Sequence, residues 1–164
     1  MPRTISFTLP GEPVAWQRRV VTKAGQQFTP AKARARMAEV RWAFDQAAPG
    51  WKPHEGPVRL VMRCYFPPPK SWPKWHHAGL KRACGCSSAM PFEQQDSFRA
   101  CCKKPDVSNL VKLIEDALNG LAYRDDAQIW SEHSYTMWGV AQTGVTLTFY
   151  DPPTRENATG GPPR

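Results

Sequence analysis

The sequence predicts an α/β (α+β) fold: a single mixed four-stranded sheet with two helices on one face, in the order β-α-β-α-β-β, plus a long loop and a disordered C-terminal tail. Four segments alternate apolar and polar residues with the period of a half-buried strand. Two further segments repeat apolar residues at helical spacing. Elements in this order bury their apolar faces against one another as one layer of strands and one of helices.

The first strand is "TISFTLP", in which Ile5, Phe7 and Leu9 alternate with polar residues before Pro10 and Gly11 end it. "QRRVVTKAGQQFTP" places β-branched residues on either side of Lys23, Ala24 and Gly25, the pattern of a small basic hairpin. A first helix follows from Thr29 as N-cap and Pro30 as first helical residue to about Ala48, where Pro49 and Gly50 close it. Met37, Val40, Ala43 or Phe44, and Ala47 form its apolar stripe, which leaves Lys32, Arg34, Arg36 and Arg41 facing outward.

The second strand, "PVRLVMRCYFP", puts Val58, Leu60, Met62, Cys64 and Phe66 on one face. From Pro67 to Lys104 no period is sustained and breakers abound, so this is a long loop with one short helix near His76 to Arg82. Leu110, Leu113, Ile114, Ala117, Leu118 and Leu121 then define a second helix from about Ser108 to Asn119, stopped by Gly120. "QIWSEHSYTMW" and "GVTLTFY" complete the set as an antiparallel hairpin joined near Gly139 to Gly144. Residues 151–164, polar and rich in Pro and Gly, form the disordered tail. The expected organisation is one domain over residues 1–150, with a Cys-containing loop at 83–102.

A chain of 164 residues is long enough to bury a core without disulfide staples. It has no apolar run of spanning length and no signal-like N-terminus, so a cytoplasmic protein with no membrane partner is expected. Its five cysteines, an odd number, point to reduced thiols or metal ligands. Charge is uneven. Residues 1–50 and 51–100 each carry eight Lys/Arg against three Asp/Glu, whereas 101–130 carry four against five. Acids gathered inside a chain of net charge +8 suggest a cation site set in a surface built for a polyanion.

Those acids lie in "KPDVSNLVKLIEDALNGLAYRDDAQIW", residues 104–130. Ser108, Lys112 and Asp116 share one helical stripe opposite the leucines, with Asp106 before the helix and Asp125 and Asp126 in the turn after it. Converging carboxylates suit Mg²⁺, a hard ion that prefers oxygen donors. Such an ion polarises a phosphodiester and acidifies bound water, and Lys112 is placed to meet the charge that develops at phosphorus. Taken singly, the same residues read as helix caps, an i,i+4 surface pair and a polar turn.

Taken together, "KPDVSNLVK", "DALNG" and "DDAQI" resemble the signature of the RusA family of Holliday-junction resolvases. "GEPVAWQRRVVTKAGQQFTP" and "GPVRLVMRCYFPPPKSWPKW" resemble its basic N-terminal stretch and its second strand and following loop. The resemblance implies a homodimeric, Mg²⁺-dependent endodeoxyribonuclease, with Mn²⁺ as substitute ion, that nicks opposed strands of a four-way DNA junction. It makes Asp106, Lys112 and Asp126 catalytic, and Asp106, Asp126, Asp125 and Asp116 the metal ligands. Ser108 stands where the family has its second metal-binding aspartate. A hydroxyl is a poor replacement for a carboxylate at such a site. Three readings stay open: a binding-competent protein that no longer cleaves, coordination restored by Glu115, Glu132 or a water, or a different task on the same scaffold.

Arg18, Arg19, Lys23, Lys32, Arg34, Arg36, Lys70, Lys74, Lys103 and Lys104 are the expected phosphate contacts on branched DNA. Trp72 and Trp75 suit base stacking or loop packing, and His76 and His77 suit DNA or solvent. Cys84, Cys86, Cys101 and Cys102 form a weak structural Zn²⁺ set, since C-x-C and C-C are unusual spacings, with free loop thiols as the alternative. An Asp-x-Asp phosphatase is disfavoured because its aspartate would follow a buried strand, whereas "CCKKPDVSN" is polar and enters a helix.

Overall fold

The computed structural model describes residues 1–17, 20–21, 27–71 and 100–152, with 20, 21, 27 and 28 described by backbone alone. The expected short helix at 76–82, most of the Cys-containing loop and the tail from residue 153 lie outside these.

Strand β1 (Arg3–Pro10) buries Ile5, Phe7 and Leu9 and exposes the residues between them. The small hairpin forms as β2 (Val20–Val21) paired antiparallel with β3 (Gln27–Phe28). Helix α1 spans Ala31–Ala47, with Pro30 as its N-cap rather than its first helical residue. Strand β4 (Val58–Phe66) buries alternate residues from Val58 to Phe66. Helix α2 (Val107–Leu118) buries Leu110, Val111, Leu113, Ile114, Ala117 and Leu118, and Gly120, at φ +74°, supplies the left-handed turn beyond its end. Strands β5 (Ile129–Trp138) and β6 (Gln142–Phe149) complete the sheet.

The sheet is mixed, in the order β1-β6-β4-β5. β6 runs antiparallel to both β1 and β4, whereas β4 and β5 are parallel. This corrects the expected hairpin: β4 lies between β5 and β6. The link between them crosses the end of β4, where the Gly139 amide donates to the Phe66 carbonyl at 2.8 Å. Two strand spacings of about 4.8 Å lie within reach of the four Cα steps from Trp138 to Gln142. Alternation tells a strand which face to bury and says nothing of its neighbours.

Both helices cover the face that carries Leu60, Met62, Val145 and Leu147, all buried. Phe44 of α1 meets Phe7 of β1 edge-on at 6.2 Å. Fully burying side chains such as Phe44, Leu60 and Leu113 contributes roughly 1.5–3 kcal/mol each. Arg41 ties the helices together, donating from Nε to the Ala117 carbonyl at 2.9 Å.

Arg36 departs from the expected outward face and so is corrected as a phosphate contact. It is 6% exposed. Its Nη1 donates to the Pro10 carbonyl at 2.8 Å and pairs with Glu39 at 2.6 Å. The stripe of α1 is rotated to Ala33, Arg36, Val40 and Phe44, because the chain leaving β1 presents a carbonyl that only a long donor reaches.

Candidate functional site

Helix α2 and the turn after it hold the acids and the lysine that the sequence nominates. Asp106 is the N-cap residue of α2, yet its carboxylate makes no capping hydrogen bond and is exposed. Ser108 and Lys112 are exposed on the next turns. The Lys112 Nζ stands 5.6 Å from the centroid of the Trp16 ring, within cation–π range. Trp16 is fixed in turn by its amide, which donates to the Asn109 carbonyl at 2.7 Å. The segment after β1 is thus anchored to the first turns of α2.

At the far end of α2, carboxylates crowd one another. Glu115 is half-buried, and its carboxyl is held above the usual range first by burial, then by Glu132 of β5 and Asp126 of the following turn, with Asp116 adding and Lys112 opposing. The buried Tyr123 phenol is pushed up by burial and then by Glu115, Asp126 and Asp116. Its hydroxyl donates to the Glu115 carbonyl at 3.1 Å. Glu132 pairs with Leu60 in the register, so it lies on the helix side of the edge strand, and it accepts the Ser134 hydroxyl.

The acidic turn is rigidly mounted. Asp125 caps the 3₁₀ turn Asp126–Gln128 by accepting from the Ala127 amide at 2.9 Å. Gln128 closes the box: its Oε1 accepts from the Arg124 and Asp125 amides at 2.9 and 3.0 Å. Its Nε2 donates to the carbonyls of His54 and Gly56 at 3.0 and 2.8 Å. Arg124 forms an ion pair with Glu55, and its amide donates to the His54 carbonyl at 3.2 Å. Residue 56 must be glycine for this close approach, because a Cβ there would stand 2.3 Å from the Tyr150 carbonyl oxygen.

The structure therefore puts Glu115 within electrostatic reach of Glu132, Asp126 and Asp116. Asp106 and Ser108 lie toward the other end of α2, Asp106 about 14 Å along the axis from Glu115 at 1.5 Å per residue. Asp125 spends one oxygen on its cap. Among the described residues no group of three His, Cys, Asp or Glu is arranged to hold a metal ion. The donor chemistry nevertheless fits a hard divalent ion, because the half-buried carboxyl of Glu115 and the three whose charges reach it, Glu132, Asp126 and Asp116, are all oxygen donors.

Of the expected phosphate contacts, Lys32, Arg34, Lys70, Lys103 and Lys104 are exposed. Lys32 and the adjacent pair Lys103 and Lys104, about seventy residues later, line one groove of about 210 Å³ with Glu12, Gln17 and Pro105, next to Asp106. Arg18, Arg19, Lys23, Lys74, Trp72, Trp75, His76, His77, Cys84 and Cys86 lie outside the described residues. The zinc expectation gains no support: Cys101 is a core residue and Cys102 beside it points to solvent.

Three residues escaped the sequence reading. Gln128 had a signal, since Asp125-x-x-Gln128 has the spacing of a capping box. Trp16 had none, because its contact with Lys112 spans most of the domain. Trp130 lay unremarked inside an alternating strand.

A family model described as Endodeoxyribonuclease RusA matches residues 10–149. The chain is also 33% identical over 128 residues to the uncharacterized protein YqaN of Bacillus subtilis (strain 168), covering 76% of this chain and 81% of that protein.

Proposed function

The chain belongs to the RusA endodeoxyribonuclease family, and on that premise we propose that it is a divalent-metal-dependent nuclease that nicks four-way DNA junctions as a homodimer. The observation that carries this reading is the family match over residues 10–149, and the charges of Glu132, Asp126 and Asp116 felt at Glu115, one turn from Lys112 in a chain of net charge +8, support it.

Glu115, Asp126, Glu132 and Asp116 are the residues that would hold Mg²⁺. When bound, the ion would polarise the phosphodiester and lower the pKa of a water. The chain's own groups do the remaining work. Lys32, Lys103 and Lys104 hold phosphates in register without reading sequence. Lys112, positioned by the Trp16 ring, offers its ammonium to the charge that accumulates at phosphorus. Asp106, exposed and free of capping duty, stays in the catalytic set beside the basic groove. A homodimer supplies two copies of this site, matching the two-fold character of the junction.

Ser108 favours a second reading, a branched-DNA-binding protein that does not cleave. Its hydroxyl is exposed on the turn where the resemblance places a carboxylate. The test is nicking of a labelled four-way junction in Mg²⁺ or Mn²⁺ by this chain and by Ser108→Asp. The nuclease reading expects Ser108→Asp to cut faster, and Asp126→Asn in that background to cut at least a hundredfold more slowly. Tight binding with no cutting by either protein would establish the second reading instead.

A further inference from the structure

The acidic turn enters β5 through an irregularity. The register pairs Val58 with Ile129 and then Arg59 with Ser131, so Trp130 is the extra residue of a β-bulge. A bulge redirects a side chain that regular pleating would have placed elsewhere. Here the redirected indole is 63% exposed, although indoles are among the groups with most to gain from burial. Trp42 on α1 is as exposed, at 66%, whereas Trp16, Trp51 and Trp138 are each partly buried against the core.

The indole is nevertheless held. Its ring meets Tyr150 edge-on, at 5.9 Å between centroids and 74° between planes. Tyr150 is anchored through its amide to the Pro57 carbonyl at 3.0 Å, and its own carbonyl accepts from His54 Nε2 at 2.7 Å. The same 54–57 segment grips the acidic turn through Gln128. Asp126 and Trp130 are four residues apart and share one mount.

We propose that Trp130 is a base-stacking residue that receives an unstacked nucleobase of the DNA whose phosphate lies at the Asp126 site; this rests on the nuclease reading above. The chemistry beside the indole selects the partner. Ser131 and Arg59 pair on this outer face of the sheet, followed by His133, with Thr146 and Thr148 of β6 alongside. Among the described strand residues of that face none is Asp or Glu. The Nε of Arg59 is buried with no hydrogen-bond partner among the described residues. An exposed ring held against Tyr150, beside a strand face that carries Arg59 with Ser131 and Thr148, is an arrangement that binds single-stranded nucleic acid, stacking a base while neighbours hold the backbone. A protein-binding hot spot would instead sit among apolar neighbours that exclude water. A junction crossover offers bases that leave the stack at little cost, whereas an intact duplex does not.

The test uses the full chain and a four-way junction with 2-aminopurine beside the crossover, in EDTA so that nothing is cut. The parent is expected to bind and to change the probe's fluorescence. Trp130→Ala should weaken binding on the order of tenfold and abolish that change. Its plot of log affinity against log salt should run parallel to the parent's, because no phosphate contact is lost. Trp130→Phe should keep most of both signals. If Trp130→Ala binds and reports like the parent, the stacking role is overturned while the nuclease reading stands. A loss of self-association in sedimentation, with junction affinity per dimer unchanged, would assign the indole to a second protein copy and equally overturn the proposal. Failure of the parent itself to bind the junction at low salt would overturn the nuclease reading, and the stacking role with it.

Discussion

The side chain of Gln128 donates to the backbone carbonyl of His54 at 3.0 Å, joining the turn that carries Asp126 to a loop more than seventy residues earlier. With its three other hydrogen bonds, this amide has every partner it can use in the plane of its head group.

Replacing Gln128 by Leu should therefore cost about 2 kcal/mol, because it strands the Asp125 amide and the Gly56 carbonyl, whereas the Arg124 amide and the His54 carbonyl keep each other. Hydrogen exchange should locate the damage at the Asp125 amide, with the Arg124 amide less affected. An unchanged melting temperature with unchanged exchange would show that the turn is held by other means.

Glu115 gives a prediction with a definite sign. Its folded carboxyl titrates above the unfolded range, first because of burial, so ionisation costs stability, and that cost grows as pH rises through and beyond the unfolded value. Glu115→Gln should stabilise the metal-free protein at pH 7, by less than about 1 kcal/mol since the group is only half-buried. The advantage should fade toward pH 4. Added Mg²⁺ should raise the parent's melting temperature more than that of Glu115→Gln.

Arg36 and the lysine groove separate structural from DNA-facing charge. Arg36→Met should lose about 1–3 kcal/mol of stability, by leaving the Pro10 carbonyl without its donor, with no change in the salt dependence of DNA binding. The Lys103→Ala, Lys104→Ala double variant should melt normally. Its plot of log affinity against log salt should flatten by about 2, for two phosphate contacts. Melting curves and salt titrations on both proteins decide the matter.

Cys64 makes the fold sensitive to alkali. Burial pushes its thiol up to about 11, whereas the unfolded thiol ionises near 9. Stability from this group is complete below pH 9 and falls as pH rises from there to about 11, at roughly 1.4 kcal/mol per unit. Cys64→Ala should flatten that decline in urea melts at pH 8 to 11. Iodoacetamide at pH 8 should label exposed Cys102 in the native protein and leave Cys64 unmodified.

Much of this architecture could be read from periodicity. β1, β4, β5 and β6 each fall within two residues of the alternating runs that announce them, and α2 follows its leucines closely. Arg36 could not be placed, because whether a long cationic side chain faces water depends on what stands opposite, here the Pro10 carbonyl. The β5–β6 connection was misread for a related cause: a short link between two alternating runs fits both a hairpin and a crossing over a third strand.

The chemistry divides in the same way. Local order along the chain was enough to name the acids of 106–126, the lysine among them and the serine that breaks their pattern, because residue type and helical spacing are properties of neighbouring positions. Packing alone settled that Glu115 feels the charge of Glu132 and Asp126 while Asp106 stands at the opposite end of α2, that Trp16 underlies Lys112, and that Trp130 stands out from a bulge. These are relations between segments dozens of residues apart. Their distances follow from how the helices settle on the sheet, and the spacing of residues along a single segment does not encode them.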